Sequence, residues 1–135
     1  MGIRDVACAS SEAADLVQHF WALANGQQWA GLARLLAPDF RYEVPQTREF
    51  IEGPDGLVDF FATWPQPWRV DLQRCLAQGD QVAVQMSFHD DTPEVQTCVG
   101  FYELDRGQIR RIVEYWPAAY EPPPRHSPHV QRAVE

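Results

Sequence analysis

The strongest constraint on the fold of this chain is a change of hydrophobic period near its middle. Up to residue 63, apolar side chains recur mostly at steps of three and four, which is typical of amphipathic helices. From Arg69 to Trp116, apolar and polar side chains alternate in four segments separated by turns, which is typical of antiparallel strands. This order predicts an α+β fold in which three N-terminal helices pack on a strongly bent, mainly antiparallel sheet and enclose a cone.

Capping and turn residues set the limits of the predicted elements. Ser10 and Ser11 can cap the first helix, and Pro54 suits the first turn of the third. Pro38 is expected to break the second helix, because proline removes a hydrogen-bond donor. The predicted elements are a helix ending at residues 25–26, a helix over 28–36, a strand over 40–44, a short strand over 50–52, a helix over 55–63, and strands over 69–77, 81–88, 95–104 and 109–116.

The length of 135 residues predicts one domain, since domains average ~150 residues. We place it at residues 11–117, between an N-terminal extension, 1–10, and a proline-rich C-terminal tail, 118–135. The prolines of the tail preclude a helix, but Tyr120 and Val130 give it apolar anchors. We therefore expect residues 118–124 to run extended across the domain or a dimer partner near the mouth of the cone, the alternative being a frayed terminus.

Composition limits the partners and the compartment. The chain has 11 arginines and no lysine against 19 acidic residues, a net charge of -8, which argues against nucleic acid and anionic membranes as partners. It lacks a run of ~18 apolar residues and the apolar core of a signal peptide. Three scattered cysteines without metal-ligand spacing indicate reduced thiols. We predict a cytoplasmic protein with no metal and no cofactor.

Several strings of the sequence carry a family resemblance. They are residues 16–20 with Asn25-Gly26, residues 35–40, residues 42–47, and residues 112–117. Together with the order of elements, they resemble the nuclear transport factor 2-like superfamily, and especially its SnoaL-like branch, from about Ala13 to Pro122. The resemblance implies a cone-shaped fold around a small-molecule site. Its members include isomerases, dehydratases, cyclases, epoxide hydrolases and binders without catalysis, so the fold alone does not choose the activity.

Two known catalytic sets of this superfamily are not matched. Ketosteroid isomerases place a tyrosine on the first helix and a base on the first strand, where this chain has Phe20 and Val44. Limonene epoxide hydrolases place an arginine and an aspartate two residues apart on one strand, where this chain has Val82 and Val84. Only their last-strand carboxylate has a counterpart, Glu114.

The same correspondences orient the predicted strands. They turn Tyr42 and Glu114 toward the inside of the cone, and these are the two predicted catalytic residues. A carboxyl on an apolar strand face is desolvated, so we expect Glu114 to be buried with a raised pKa. The alternatives are a structural carboxylate and a core tyrosine with a satisfied hydroxyl. The predicted ligand-binding residues are Phe20, Val44, Trp64, Trp68, Val84, Met86, Phe88 and Trp116, whose alternative role is core packing.

Two functions fit these patterns. The first is a protein that binds a small apolar or aromatic molecule, with acid/base catalysis of isomerase, cyclase or dehydratase type at Glu114 and Tyr42. The second is a binding or dimerisation module without catalysis, whose pocket is filled by Trp and Phe. We also predict a homodimer through the outer face of the sheet, where Val113, Tyr115 and either Phe101 or Tyr102 form an apolar surface.

Overall fold

The computed structural model describes residues 11–134 and confirms the predicted α+β fold. Its helices and strands are α1 (Glu12–Asn25), α2 (Trp29–Arg34), β1 (Leu36–Val44), β2 (Glu49–Glu52), α3 (Pro54–Ala62), β3 (Arg69–Gln78), β4 (Gln81–His89), β5 (Gln96–Asp105) and β6 (Gln108–Tyr115). The predicted extension at residues 1–10, with Ser10 as a cap, lies outside the described residues. Ser11 caps α1, since its hydroxyl accepts a hydrogen bond from the Ala14 backbone.

The six strands form one sheet in the order β2-β1-β6-β5-β4-β3. Strands β1 and β6 are parallel, and the other neighbours are antiparallel. This parallel pair joins the N-terminal hairpin to the C-terminal meander. Strand β6 therefore lies inside the sheet, and Glu114 stands opposite Gly100 of β5 with Tyr42 on the other neighbouring strand.

The helices cover the inner face of the sheet, and the core lies between them. Phe20 of α1, Leu57 of α3 and Ile112 of β6 are fully buried there. The side chain of Asn25 ties the end of α1 to β3, because it donates to the Val70 carbonyl (2.8 Å) and accepts from the Val70 amide (2.9 Å). Among residues 11–134, no helix has the length and hydrophobicity that crossing a membrane requires.

The outer face of the sheet carries a row of residues that crosses all six strands in register, and this row is apolar on every strand except β1. From β3 to β2 the row consists of Leu76, Ala83, Phe101, Val113, Glu43 and Phe50. Leu76, Phe101 and Phe50 are about half exposed, at 52%, 48% and 55%. Tyr102 faces inward and is buried, so Phe101 is the aromatic residue of β5 on the outer face.

Strand β1 is longer than predicted, because α2 ends at Arg34 instead of residue 36 and the strand starts before residue 40. The strand begins at Leu36 and includes Pro38. Its pairing with β6 shifts register between Leu36 and Arg41, so this part of the ladder is irregular. A proline is tolerated in a strand at such an irregularity, because its missing donor has no partner to lose.

The C-terminal segment after β6 contains no helix or strand up to residue 134. Its predicted anchors do not pack on the domain in the single chain, since Tyr120 is 77% and Val130 is 55% exposed. Glu121 and Arg132 pair with each other at 2.7 Å, and both are largely exposed. Packing of this tail against a second copy remains a prediction.

Candidate functional site

A cavity of about 440 Å³ opens at the wide end of the cone. It lies between α3 and the inner face of β1, β4 and β6. Aromatic and aliphatic side chains form most of its wall, namely Trp21, Tyr42, Val44, Phe60, Phe61, Trp64, Trp68, Val70, Met86, Phe88 and Trp116. The polar residues of the wall are Gln46, Thr47, Glu49, Gln96 and Glu114. Its size lies within the ~300–1,000 Å³ usual for small-molecule sites.

Most of the residues singled out from the sequence meet at this cavity. Those in its wall are Tyr42, Glu114, Val44, Trp64, Trp68, Met86, Phe88 and Trp116. Phe20 and Val84 are absent from the wall and lie in the core, with 0% and 1% of their surface exposed. The ring of Trp21 packs edge to face on Phe20 at 4.9 Å and separates it from the open space. The narrow end of the cone is filled, and only the wide end is open.

Glu114 is the buried carboxyl of this site. Only 2% of the residue is exposed, and burial raises its pKa to about 7. The Tyr42 hydroxyl donates to Glu114 Oε1 at 2.6 Å, and the side chains of Trp116 and Cys98 also hydrogen-bond to the carboxyl. These three partners favour the ionised form but do not outweigh desolvation. The predicted burial and raised pKa of Glu114 are confirmed.

The partners of Glu114 are donors that stay protonated. Burial and the neighbouring Glu114 raise the pKa of the Tyr42 hydroxyl far above its ordinary value, and they do the same for the Cys98 thiol. Tyr42 therefore remains a neutral hydrogen-bond donor at physiological pH. Glu114 is the group of this cluster that changes charge near neutral pH.

Phe88 connects the three tryptophans at the mouth of the cavity. Its ring centroid lies 5.9 Å from that of Trp64, 6.0 Å from that of Trp68 and 5.6 Å from that of Trp116. Trp68 also donates from its indole nitrogen to the Phe61 carbonyl at 3.2 Å. These contacts fix the rings around an open space instead of letting them collapse into it.

Gln46 holds Trp116 in place beyond the end of β6. Its side-chain amide donates to the Trp116 carbonyl at 3.1 Å, and its amide oxygen accepts from the Trp116 backbone N–H. Both backbone groups of Trp116 are thereby satisfied without a strand partner. The indole can then lie in the cavity wall and reach Glu114.

Comparison with known proteins identifies the family. The family model of the SnoaL-like domain matches residues 17–112, which is most of the chain. The chain belongs to the SnoaL-like family. This places it in the nuclear transport factor 2-like superfamily, as the resemblance implied.

Solved structures of other proteins share this SnoaL-like fold. A provisionally assigned ketosteroid isomerase from Kribbella flavida is 35% identical, with 90% of each chain covered and a TM-score of 0.84. A protein of unknown function from Burkholderia xenovorans is 16% identical, with 94% of this chain and 99% of that chain covered and a TM-score of 0.75. An epoxide hydrolase from M. tuberculosis is 19% identical, with 78% and 83% covered and a TM-score of 0.70. No curated protein matches the sequence.

Sequence reasoning missed part of the site of this SnoaL-like protein. Gln46 and Cys98 each contact a central side chain and Phe60 borders the cavity, and none of the three is among the predicted site residues. Strand alternation could have shown that Cys98 shares a face with Tyr102. It could not show that Cys98 meets Glu114, because the pairing of β5 with β6 shifts register between residues 103 and 104.

Proposed function

We propose that this protein binds a small apolar or aromatic molecule in the cavity and that Glu114 exchanges a proton with it. The observation that carries the proposal is a buried carboxyl with a pKa of about 7 in the wall of a largely apolar cavity. A group with a pKa near the working pH serves well as both acid and base. One residue can then remove a proton and return it elsewhere on the same molecule.

Tyr42 is the positioning partner in this proposal. Its 2.6 Å hydrogen bond holds one oxygen of Glu114, and its own raised pKa keeps it from competing as an acid. The reaction classes that fit are isomerase, cyclase and dehydratase chemistry, each of which needs a proton moved beside a carbonyl or hydroxyl. The provisional assignment of the 35% identical Kribbella protein agrees with an isomerase. Val44 replaces the base of ketosteroid isomerases on β1, so here the proton would move through Glu114.

The alternative is a module without catalysis. The open volume of about 440 Å³ favours a binding site over a cavity filled by its own rings. A binding protein that never moves a proton remains the second candidate, and the experiment below separates the two.

A homodimer and a cytoplasmic location belong to the same proposal. The apolar row on the outer face, with Leu76 and Phe101 half exposed, supports self-association of this surface. The acidic, lysine-free composition supports a partner other than nucleic acid or a membrane.

The test combines a ligand screen with isotope exchange. Small carbonyl compounds, including aromatic ones, are screened for thermal stabilisation, and the binders are incubated in D₂O with the protein. We expect mass spectrometry to show deuterium uptake with the wild type and at least a hundredfold slower uptake with Glu114→Gln, because acid/base catalysis contributes ~10²–10⁴-fold. Glu103→Gln is the control, since Glu103 lies on the outer face in a pair with Arg111.

Three outcomes are distinguishable. Binding with exchange that depends on Glu114 supports the enzyme. Binding without exchange in the wild type supports the binding module and rejects catalysis. If no compound stabilises the protein, small carbonyl compounds are rejected as ligands of the site.

A further inference from the structure

A closed circuit of side chains in mutual contact surrounds the cavity. In order around it are Tyr42, Phe60, Trp64, Phe88, Trp116 and Glu114. Neighbouring ring centroids along the aromatic part are 5.6 to 5.9 Å apart. Glu114 closes the circuit, because it accepts hydrogen bonds from Trp116 on one side and Tyr42 on the other. The circuit thus consists of five aromatic rings and one carboxyl, and all six residues belong to the wall of the cavity.

The rings meet at angles that form an enclosure. The planes of Phe60 and Trp64 cross at 85°, those of Trp64 and Phe88 at 81°, and those of Phe88 and Trp116 at 85°. Rings that only fill a core also adopt such edge-to-face contacts. Here, however, every one of them borders the same open space. Because neighbouring rings of the circuit are nearly perpendicular, they border the cavity from several directions.

The charges of the wall have one sign. Its ionisable carboxyls are Glu49 and Glu114, and within the described part of the chain it has no arginine or histidine. The whole chain adds a net charge of -8. The face of an aromatic ring carries negative potential, so each ring that turns its face to the space acts in the same direction as the carboxyls. Such a wall repels anions, tolerates neutral molecules and attracts cations.

We propose that the ligand of this cavity is an apolar or aromatic amine, bound as its ammonium ion. The positive nitrogen lies among the rings of the circuit, and Glu114 is its counter-ion. Attraction of an ammonium by several ring faces is the physical basis of aromatic cages. This inference rests on the proposed function, since it names the substrate class of the same site.

Binding of a cation must then couple to the charge of Glu114. The titratable groups that act on Glu114 are Tyr42 from β1 and Cys98 from β5, and burial keeps both protonated; Tyr102 of β5 is likewise buried with a raised pKa. Glu49 borders the mouth of the same cavity. A permanent cation favours ionised Glu114, so its affinity should rise from pH 5.5 to pH 8. A neutral ligand has no such preference.

The experiment compares two probes of the same size and shape that differ in charge. They are (4-hydroxyphenyl)trimethylammonium and 4-tert-butylphenol, each titrated calorimetrically into the full chain at pH 5.5 and pH 8. We expect the ammonium probe to bind at least tenfold more tightly than the neutral probe at pH 8. We expect this preference to shrink severalfold at pH 5.5, where Glu114 is protonated.

Variants identify which part of the wall recognises the charge. Glu114→Gln keeps a hydrogen-bond acceptor for Tyr42 and should remove most of the preference and its pH dependence while the neutral probe still binds. Trp64→Leu should weaken the ammonium probe more than the neutral probe, because it removes a ring face but keeps an apolar side chain. Glu103→Gln on the outer face is the matched control and should leave both affinities unchanged.

The outcomes separate this inference from the proposed function. Equal or tighter binding of the neutral probe at pH 8 overturns the amine proposal and leaves a small-molecule site. The amine proposal is also overturned, and the small-molecule site kept, if neither probe binds while carbonyl compounds stabilise the protein. If neither the probes nor the carbonyl compounds bind, both proposals fail together. A charge preference that persists unchanged in Glu114→Gln rejects Glu114 as the counter-ion.

Discussion

Glu43 and Glu114 lie on neighbouring parallel strands, and they face opposite sides of the same sheet. Glu43 stands on the outer face, where hydrogen bonds from Arg111 and Arg41 hold its pKa below the usual range. Glu114 stands on the inner face, where burial among rings raises its pKa to about 7. Glu43 pairs in register with Val113, the residue next to Glu114. One register position between neighbouring strands thus separates a carboxyl whose pKa is lowered from one whose pKa is raised.

The difference comes from the partners that each face can supply. The outer face is open to water and carries arginines, so a charge there is both solvated and paired. The inner face offers Glu114 only neutral donors, from Tyr42, Trp116 and Cys98. Neutral donors stabilise the ionised carboxylate less than a guanidinium does. For these two glutamates, the face of the sheet therefore decides whether the pKa is raised or lowered.

The largest expected effect is opposite pH dependence of stability in the two glutamate variants. Glu114 has a pKa of about 7 in the folded protein against 4.5 as its ordinary value, so folding takes up a proton between these pH values. Its contribution to the free energy of unfolding is present below pH 4.5 and is lost as the pH rises toward 7. Glu114→Gln cannot ionise. It should gain about 3 kcal/mol over the wild type between pH 4.5 and pH 8 in urea denaturation, at ~1.4 kcal/mol per pKa unit.

Glu43→Gln provides the other half of this comparison. A lowered pKa means that Glu43 stabilises the fold above its unfolded pKa and loses this contribution as the pH falls. The variant should therefore be less stable than the wild type above the ordinary pKa of 4.5, and this difference should shrink as the pH falls below it. If both variants shift in the same direction, the contrast between the two faces is wrong.

The next effect is the loss of a large apolar residue from each face. Phe88→Ala removes the ring that contacts Trp64, Trp68 and Trp116, and it should lower the free energy of unfolding by about 2–3 kcal/mol. Leu76→Ala on the outer face, where the side chain is half exposed, should cost less than about 1 kcal/mol. Chemical denaturation of the two variants at pH 7 and at equal protein concentration measures both losses in the free energy of unfolding and therefore their ratio. Equal losses would mean that the rings around the cavity are not a packed unit.

A smaller effect concerns the association of the outer faces. Phe101→Arg places a charge in the middle of the apolar row and should weaken the homodimer at least tenfold. Val95→Arg is the control, because Val95 is similarly exposed but lies before β5 and outside the row. Sedimentation equilibrium should give twice the chain mass of 15.4 kDa for the wild type and the control. A wild-type protein that is monomeric at micromolar concentration would contradict the homodimer.

The smallest effect compares two glutamines. Gln46→Ala removes both side-chain hydrogen bonds to the backbone of Trp116 and should cost about 1 kcal/mol. It should also shift tryptophan fluorescence to longer wavelength, because Trp116 then reaches water. Gln73 on the outer face bonds to Ser87 and Gln85, so Gln73→Ala should change stability similarly without the spectral shift. An unchanged spectrum in Gln46→Ala would show that Trp116 is held by its ring contacts alone.

The sequence predicted the strands of this fold well because alternation is a local signal. The four C-terminal strands differ from their predicted limits by one residue at each end or less. The same alternation, oriented by the family resemblance, placed Tyr42 and Glu114 on one face. The helix ends before Pro38, as expected, but the place of Pro38 in β1 was not predicted, because it depends on a register shift against a strand some 70 residues away.

The alternation of apolar and polar residues could not predict how far along the cone each inward-facing side chain lies. Val84 and Met86 lie on the same face of β4, yet only Met86 reaches the cavity, because the narrow end is filled by residues of α1 such as Phe20 and Trp21. The role of Gln46 was equally hidden, since a turn residue shows no period. These features depend on how distant elements meet, and a single sequence records that only indirectly.

The parallel pairing of β1 with β6 has a consequence for the order in which the molecule is assembled. The Tyr42–Glu114 contact closes a loop of 72 residues, and the Trp21–Tyr102 hydrogen bond closes one of 81. Contacts between distant positions form late in folding, because closing the long loop between them costs entropy before the contact can stabilise it. A growing chain that has not yet emerged beyond β5 carries Trp64 of the circuit but lacks both Glu114 and Trp116, which complete it. The proton transfer that we propose for Glu114 therefore requires the last strand, and a chain that ends before residue 114 lacks the carboxyl that it depends on.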